Sequence, residues 1–365
     1  MPTTQPARKR LRLALLAASA LIVGASGFGT PPWTGVEVPL GAGGSLRIGA
    51  VRTAPWGAAL AANVVTLNDV TVEFGGASYS IPTLTLTGLN LPQGELTALF
   101  DKAATEPLSA RLARLSAQEV TIPALTVTQR VGPETRTTTY RDVTLRDIVN
   151  GRIAAATSAG ASVAVEGRPA GPVSGTLGTM TLTVFDASQA ARLYEAKADA
   201  QAGAMARIHE TFALENLAIS DPKGAQVRVA RITGRDFSAR PTKESWGETM
   251  TLLSTHADKL DKAPPVDRAR LVSALADLLD AFQIGSMEAT GFEVRDPNAK
   301  DRVGARIARI AFTGSQASKP ADLRMEDFDV NADNGRMRIG LVGFSGFSFR
   351  STLDGLKALS DKPAT

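Results

Sequence analysis

The residues that could do chemistry are few, and their spacing matches no catalytic constellation. The chain of 365 residues has no cysteine and only two histidines, His209 and His256. That removes thiol nucleophiles, thiolate metal sites and disulfides. The histidines are far apart in the chain, and both read as surface or helix-face residues rather than as a base or ligand. A serine nucleophile on a strand-to-helix elbow calls for glycine two positions away on each side. Gly343-Phe344-Ser345-Gly346 comes nearest and misses by one position. Glu326, Asp327, Asp329 and Asp333 form an acidic patch without the glycine and glutamate spacing of a calcium loop, so they read as a solvated strand edge and turn. Asp221 and Asp296 each precede a proline and read as turn residues rather than as an acid/base pair. Gly41-Ala-Gly-Gly44 lacks the lysine and helix start of a phosphate cradle. The expectation is a non-enzyme with no catalytic, metal or cofactor residues.

Charge narrows the partners. The net charge of +4 resides in Arg8, Lys9, Arg10 and Arg12, and no acid precedes Glu37. The rest of the chain is therefore neutral and lacks the basic footprint that phosphate backbones require, so nucleic acid is not an expected partner. The same cluster precedes an uncharged, mostly apolar run from Leu13 to Gly29, which is the pattern of an export signal. Ala18-Ser-Ala20 and Val23-Gly-Ala25 offer small residues for cleavage. The absence of charge through Val36 favours an uncleaved anchor, with Arg8 to Arg12 cytoplasmic by the positive-inside rule. The expected location is a bacterial inner membrane, crossed once, with the body in the periplasm. A soluble periplasmic or secreted body after cleavage is the alternative.

The elements beyond that segment follow two periods. Val70, Val72 and Phe74 alternate with Thr71 and Glu73, Gly75-Gly76 marks a turn, and Leu84 and Leu86 alternate with threonines. This is a hairpin with one buried and one wet face. Val120 and Ile122, Leu125 and Val127, and Met180, Leu182 and Val184 repeat the pattern. Helical spacing takes over at Leu108, Leu112 and Leu115, in an alanine-rich stretch from Ala187 to Ile208, at Trp246, Met250, Leu253, Ala257 and Leu260, and at Leu271, Leu275, Leu278, Leu279 and Phe282. Asp186 with Gln189 reads as a helix start. Residues 160 to 178 are rich in Ala, Gly, Ser and Pro, with a loop tip at Arg168-Pro-Ala-Gly-Pro172.

An internal repeat sets Leu217-Ala-Ile219-Ser-Asp221-Pro222 beside Phe292-Glu-Val294-Arg-Asp296-Pro297. Each copy runs through a turn into an arginine-studded strand, Val227-Arg-Val-Ala-Arg-Ile232 in one and Ala305-Arg-Ile-Ala-Arg-Ile310 in the other. Phe328-Asp-Val330 with Met337-Arg-Ile339-Gly-Leu341 reads as a degenerate third copy, and residues 67 to 88 as a more distant one. Such units cannot bury their apolar faces alone and must extend a common sheet.

Leu67-Asn-Asp-Val-Thr-Val-Glu-Phe74 and Ile81-Pro-Thr-Leu-Thr-Leu-Thr-Gly88, with the N-terminal segment and interspersed helices, resemble envelope proteins of the AsmA type. That resemblance implies an inner-membrane anchor and a curled periplasmic β-sheet with an apolar groove that handles phospholipid. The expected fold class is α+β and β-dominated, with repeated antiparallel hairpins in an elongated curled sheet. The expected divisions are a signal segment at 1–29, a linker with first strands at 30–62, hairpin and helix repeats at 63–210, Asp-Pro hairpin repeats at 211–355 with a helical insert at 243–282, and a tail at 356–365. Leu84, Leu86, Ile122, Val127, Leu182, Val184, Ile232, Ile310, Leu341 and Phe347 are the expected groove lining. Expected partners are the inner membrane, phospholipid and envelope proteins. A periplasmic scaffold without a lipid ligand is the rival reading.

Overall fold

The computed structural model describes residues 33–39, 44–53, 64–74, 76–90, 106–198, 204–256, 264–296, 304–314, 316, 318–332 and 335–360. Residues 1–29 lie outside the described residues, as do most of the following linker and the end of the tail. Among the described residues no helix is long and apolar enough to cross a membrane.

One antiparallel sheet dominates. Its strands are β1 (Trp33–Pro39), β2 (Ser45–Thr53), β3 (Val64–Phe74), β4 (Ala77–Thr87), β5 (Ala117–Val131), β6 (Glu134–Val149), β7 (Arg152–Ser158), β8 (Gly160–Glu166), β9 (Val173–Leu177), β10 (Met180–Asp186), β11 (Ala206–Ser220), β12 (Gln226–Ala239), β13 (Phe282–Arg295), β14 (Gly304–Thr313), β15 (Ala321–Ala332) and β16 (Gly335–Phe347). Both β7 and β8 pair with β6, both β9 and β10 pair with β11, and the four also pair with each other as β7–β10 and β8–β9. They are two long strands, each interrupted once. The sheet is thus a meander in which each long strand pairs with its sequence neighbours. The first and last strands, β1 and β16, are not paired to each other among the described residues.

Among the described residues, five helices lie at one end of the strands: α1 (Leu108–Leu112), α2 (Ala187–Glu195), α3 (Trp246–His256), α4 (Pro265–Asp280) and α5 (Arg350–Ser360). Each packs against the next, so they form a row along one edge of the sheet. The Asp186 carboxylate accepts the Gln189 amide at 2.9 Å and starts α2. Glu195 at the end of α2 accepts the Leu108 and Ser109 amides at 2.7 and 3.2 Å, tying α1 to α2. Glu244 binds Arg270 of α4 through two bonds of 2.9 and 3.0 Å, and Lys197 reaches it from the segment after α2. Arg270 holds the Glu244 carboxyl down at about 2. Tyr79 of β4 is 0% exposed beneath this row. Burial pushes its phenol well up, with Tyr194 of α2 and Tyr140 of β6 adding to the effect.

The sheet bends where alternation stutters. Asp69, Asp142, Asn216, Gly291 and Asp327 sit mid-strand with φ between 49° and 63°. Left-handed backbone of this kind is open to glycine and tolerated by Asp and Asn. Pairing skips that residue and the one facing it, then resumes in the same register. The inward face consequently advances by three residues at each such site rather than two, as from Leu67 to Val70 and from Met325 to Phe328. The facing residues are Gly49, Pro82, Pro123, Ala230, Ala308 and Gly340, which are small or need no ladder amide. A Cβ on Gly49 would stand 2.8 Å from the Asp69 Cβ. These sites line up across the strands as one crease. A second crease runs nearer the helices through Asp147, Val184 and Asp236, at φ of 51°, 50° and 54°. The two creases divide the long strands into three panels, and each bend turns the apolar face of its panel towards the next.

Several expectations change accordingly. The alanine-rich helix ends at Glu195, and Ile208 belongs to β11. Phe282 opens β13 instead of closing α4. Residues 160–166 and 173–177 are the strands β8 and β9, and the expected loop tip at 168–172 joins them. The expected division at residue 210 falls inside β11, so the sheet runs unbroken through it.

Val184 is the one β-branched residue among these left-handed positions, where its side chain costs about 1–2 kcal/mol. Val184→Asn is expected to stabilise the protein by about 1 kcal/mol in denaturant unfolding, because Asn suits the conformation the fold imposes. A loss of stability would show that Val184 packing outweighs the backbone.

Candidate functional site: an apolar trough that opens towards β16

The creases align inward residues into rows that cross the strands. Between the creases, one row is Leu214, Ile232, Ala289, Ile310, Met325 and Val342, and its neighbour is Phe212, Gly234, Met287, Phe312, Leu323 and Phe344. Across the first crease, Leu217, Val229, Phe292, Ile307, Phe328 and Ile339 form a third row. The same rows continue backwards to β2, through Val51, Leu67 and Leu84 and through Ile48, Val70 and Ile81.

Enclosure changes along these rows. In β2 to β5 the apolar face is shut: Leu46, Ile81 and Ile122 are each at most 1% exposed, in one packed core that also takes in Leu112 of α1 and Ala190 and Tyr194 of α2. From β13 onward the same face is half-buried, and on β16 Met337 is 49% and Phe344 56% exposed. Helix α4 packs on β13, while α5 turns back onto α4 with Leu353 buried between them. The result is an apolar trough, filled by its own side chains at the β2 end and open over β13 to β16.

The expected lining residues fall on both sides of this division. Leu84, Leu86, Ile122, Val127 and Leu182 lie in the closed half, within the packed core. Ile232 packs partly against that core, and Ile310 is half-buried in the open half. Phe347 is half-buried at the end of β16, its ring edge-on to Phe349 at 5.9 Å. Two placements are corrected. Val184 occupies the second crease, where the stutter hands the inward position to Phe185. Leu341 lies on the outer face opposite Glu326 and is 53% exposed, because the stutter at Gly340 moves the inward position to Val342. Phe292, Phe312, Met325, Phe328 and Phe344 were missed. The signal for Phe292, Met325 and Phe328 is an eight-residue pattern with the left-handed residue fifth and apolar residues first, third, sixth and eighth, as in Met287 to Val294 and Leu323 to Val330.

The outer face of the open half is charged and paired. Arg228, Glu293, Arg306, Asp329 and Arg338 stand opposite one another on successive strands, alternating in sign. In the next row Arg309 bridges Glu288 at 2.8 Å and Glu326 at 3.1 Å. Arg309 holds the Glu288 carboxyl below its ordinary value, and Arg336 with Arg338 holds Asp329 at about 2. The acidic patch is thereby accounted for: Glu326 and Asp329 serve this ladder and Asp327 is the crease, while Asp333 lies outside the described residues. Asp221 accepts the Lys223 and Ala225 amides at 2.9 and 2.8 Å as a turn residue, and His209 stacks on Phe237 at 5.3 Å. The side chain of His256, residues 41–43 and Pro297 lie outside the described residues. No family model, curated protein or solved structure matches the chain.

Because Glu288 and Asp329 titrate lower in the folded than in the unfolded chain, their contribution is complete above their ordinary values of 4.5 and 3.8 and is lost as pH falls towards 2. Amide exchange followed by mass spectrometry from pH 5 to pH 2 is expected to show β13 to β16 losing protection before β3 to β5. Simultaneous loss in both halves would remove the ladder from the account.

Proposed function

We propose that this chain is a non-enzymatic lipid-handling protein of the bacterial envelope, and that the open half of the trough holds acyl chains. The observation that carries this reading is the exposure gradient along continuous apolar rows, which leaves Met325, Phe328 and Val342 half-buried and Phe344 56% exposed while their counterparts near β2 are shut in. Monomeric soluble surfaces rarely display contiguous apolar area of this kind without a partner for it. Dimensions support a lipid tail. Strands lie about 4.8 Å apart, so β13 to β16 span roughly 14 Å, close to the about 15 Å that one leaflet's hydrocarbon occupies in a bilayer. Burial of such a chain gains about 25 cal/mol per Å² of apolar surface removed from water.

The basic and apolar N-terminal residues support export, and the AsmA-type style of the hairpins supports the same ligand class. In the closed half, the protein's own side chains take the place of a ligand. Lipid therefore enters over β13 to β16 and stops where β11 and β12 pack against the core.

Extraction of the purified full-length protein and mass spectrometry of the extract tests occupancy. Capture of a fluorescent phospholipid from phosphatidylethanolamine and phosphatidylglycerol vesicles then tests the site. Phe328→Ser is expected to lower capture about tenfold with folding retained, as the loss of a buried phenyl ring implies. Leu341→Ser, on the outer face of the neighbouring strand, should leave capture unchanged. Equal capture by wild type and Phe328→Ser, or equal losses in both variants, would refute the site.

A further inference from the structure

The last strand is unfinished. β16 has 13 residues, none of them Pro or Lys, and among the described residues it pairs only with β15. Natural sheets blunt free edges with prolines, lysines and other charges, bulges or very short strands; β16 is long and lacks proline and lysine, and carries Arg336, Arg338 and a bulge between Phe344 and Phe347. Gly340 has no atom within 4 Å of the place a Cβ would take, so nothing fills the space beside it.

Two features specify what would complete it. The alternating ladder Arg228, Glu293, Arg306, Asp329, Arg338 ends on a positive charge whose outward side has no partner strand, so the next strand must present an acid there. Second, β16 repeats the sequence of β2. Met337-Arg-Ile-Gly-Leu-Val342 and Leu46-Arg-Ile-Gly-Ala-Val51 share Arg-Ile-Gly-x-Val. The strand that lies on β2 is β1, where Val38, Glu37 and Val36 stand opposite Leu46, Arg47 and Ile48, with Glu37 bound to Arg47 at 3.0 Å. The chain thus carries one strand already matched to this sequence, and that strand has a free edge of its own among the described residues. Within one molecule the two are not paired to each other among the described residues.

We infer that β16 of one molecule pairs antiparallel with β1 of a second copy, with Glu37 opposite Arg338, Val36 opposite Ile339 and Thr34 opposite Leu341. Glu37 then bridges two arginines, as Asp329 does with Arg336 and Arg338. The inward faces of the two sheets coincide, so the open end of one trough meets the closed end of the next. The contact is head-to-tail and does not close on itself, so it yields chains of copies rather than a symmetric dimer. It does not depend on the trough's ligand.

The absence of cysteine allows a direct test on the full-length protein. Directly opposed residues on antiparallel strands bring their Cα atoms to about 4.5–5.5 Å, within the roughly 4.4–6.8 Å that a disulfide spans. A Thr34→Cys chain mixed with a Leu341→Cys chain under mild oxidation is expected to give at least tenfold more cross-linked heterodimer than Thr34→Cys mixed with Gly343→Cys, two residues out of register. Arg338→Glu should suppress that product, and Glu37→Arg in the partner should restore it. Cross-linking of Leu341→Cys chains with one another would show that two β16 edges meet instead, and heterodimer no greater than the offset control would show that this edge does not pair with β1. Either result overturns the assignment, and neither bears on lipid capture by the trough.

Discussion

The fold depends on one local constraint, a left-handed residue in mid-strand facing a small residue or a proline on the next strand. Asp69 faces Gly49 and Pro82, Asn216 and Gly291 face Ala230, and Asp327 faces Ala308 and Gly340. Without these sites the meander would be a plain sheet with one apolar and one polar face, and its apolar face would have nothing to turn towards. With them aligned from strand to strand, the local bends add into a crease, and the crease turns the apolar face in upon itself. At two of the facing glycines the requirement is steric. Gly49 has no room for a Cβ against Asp69, nor has Gly285 against Asp236, where the contact would be 2.9 Å.

The closed and open halves share this backbone plan and differ in what covers it. Tyr79 and its neighbours share one packed core with α1 and α2, which are tied together through Glu195. Beyond β12, α4 reaches β13, and α4 and α5 pack chiefly on each other. Stability there passes to the outer face, where the Arg and Glu ladder links successive strands. Exposed pairs of this kind contribute little singly and more as a network. An open apolar face and a charge-braced back are therefore two aspects of one arrangement.

Much of this was legible in the sequence, and the losses have a physical cause. Period-two alternation in Val70 to Phe74 and Leu84 to Leu86 marks strands and their wet threonine faces, and Asp186 with Gln189 marks a true helix start. The stutter is hidden because strict period-two alternation gives Asp, Asn and Gly inside a strand no special place. Asn68-Asp69 and Glu326-Asp327 lie inside strands, where strict alternation misplaces everything beyond them by one position, and Leu341 was assigned to the wrong face for that reason. Enclosure was not legible at all. Leu84 and Ile310 look alike as residues in a hairpin, and what separates them is a helix row whose position depends on contacts such as Glu195 with Ser109 and Glu244 with Arg270.

The central claim is that a single apolar face runs from β2 to β16, shut at its start and open at its end. Thiol labelling measures it most directly, since any introduced cysteine is the only one in the chain. Single variants Val70→Cys, Leu125→Cys, Phe292→Cys and Phe328→Cys sample inward positions in order along the trough, and Leu341→Cys samples the outer face. The account predicts that labelling under native conditions is slowest at 70 and 125, intermediate at 292 and 328 and fast at 341. Protection at 328 equal to that at 70 would contradict it.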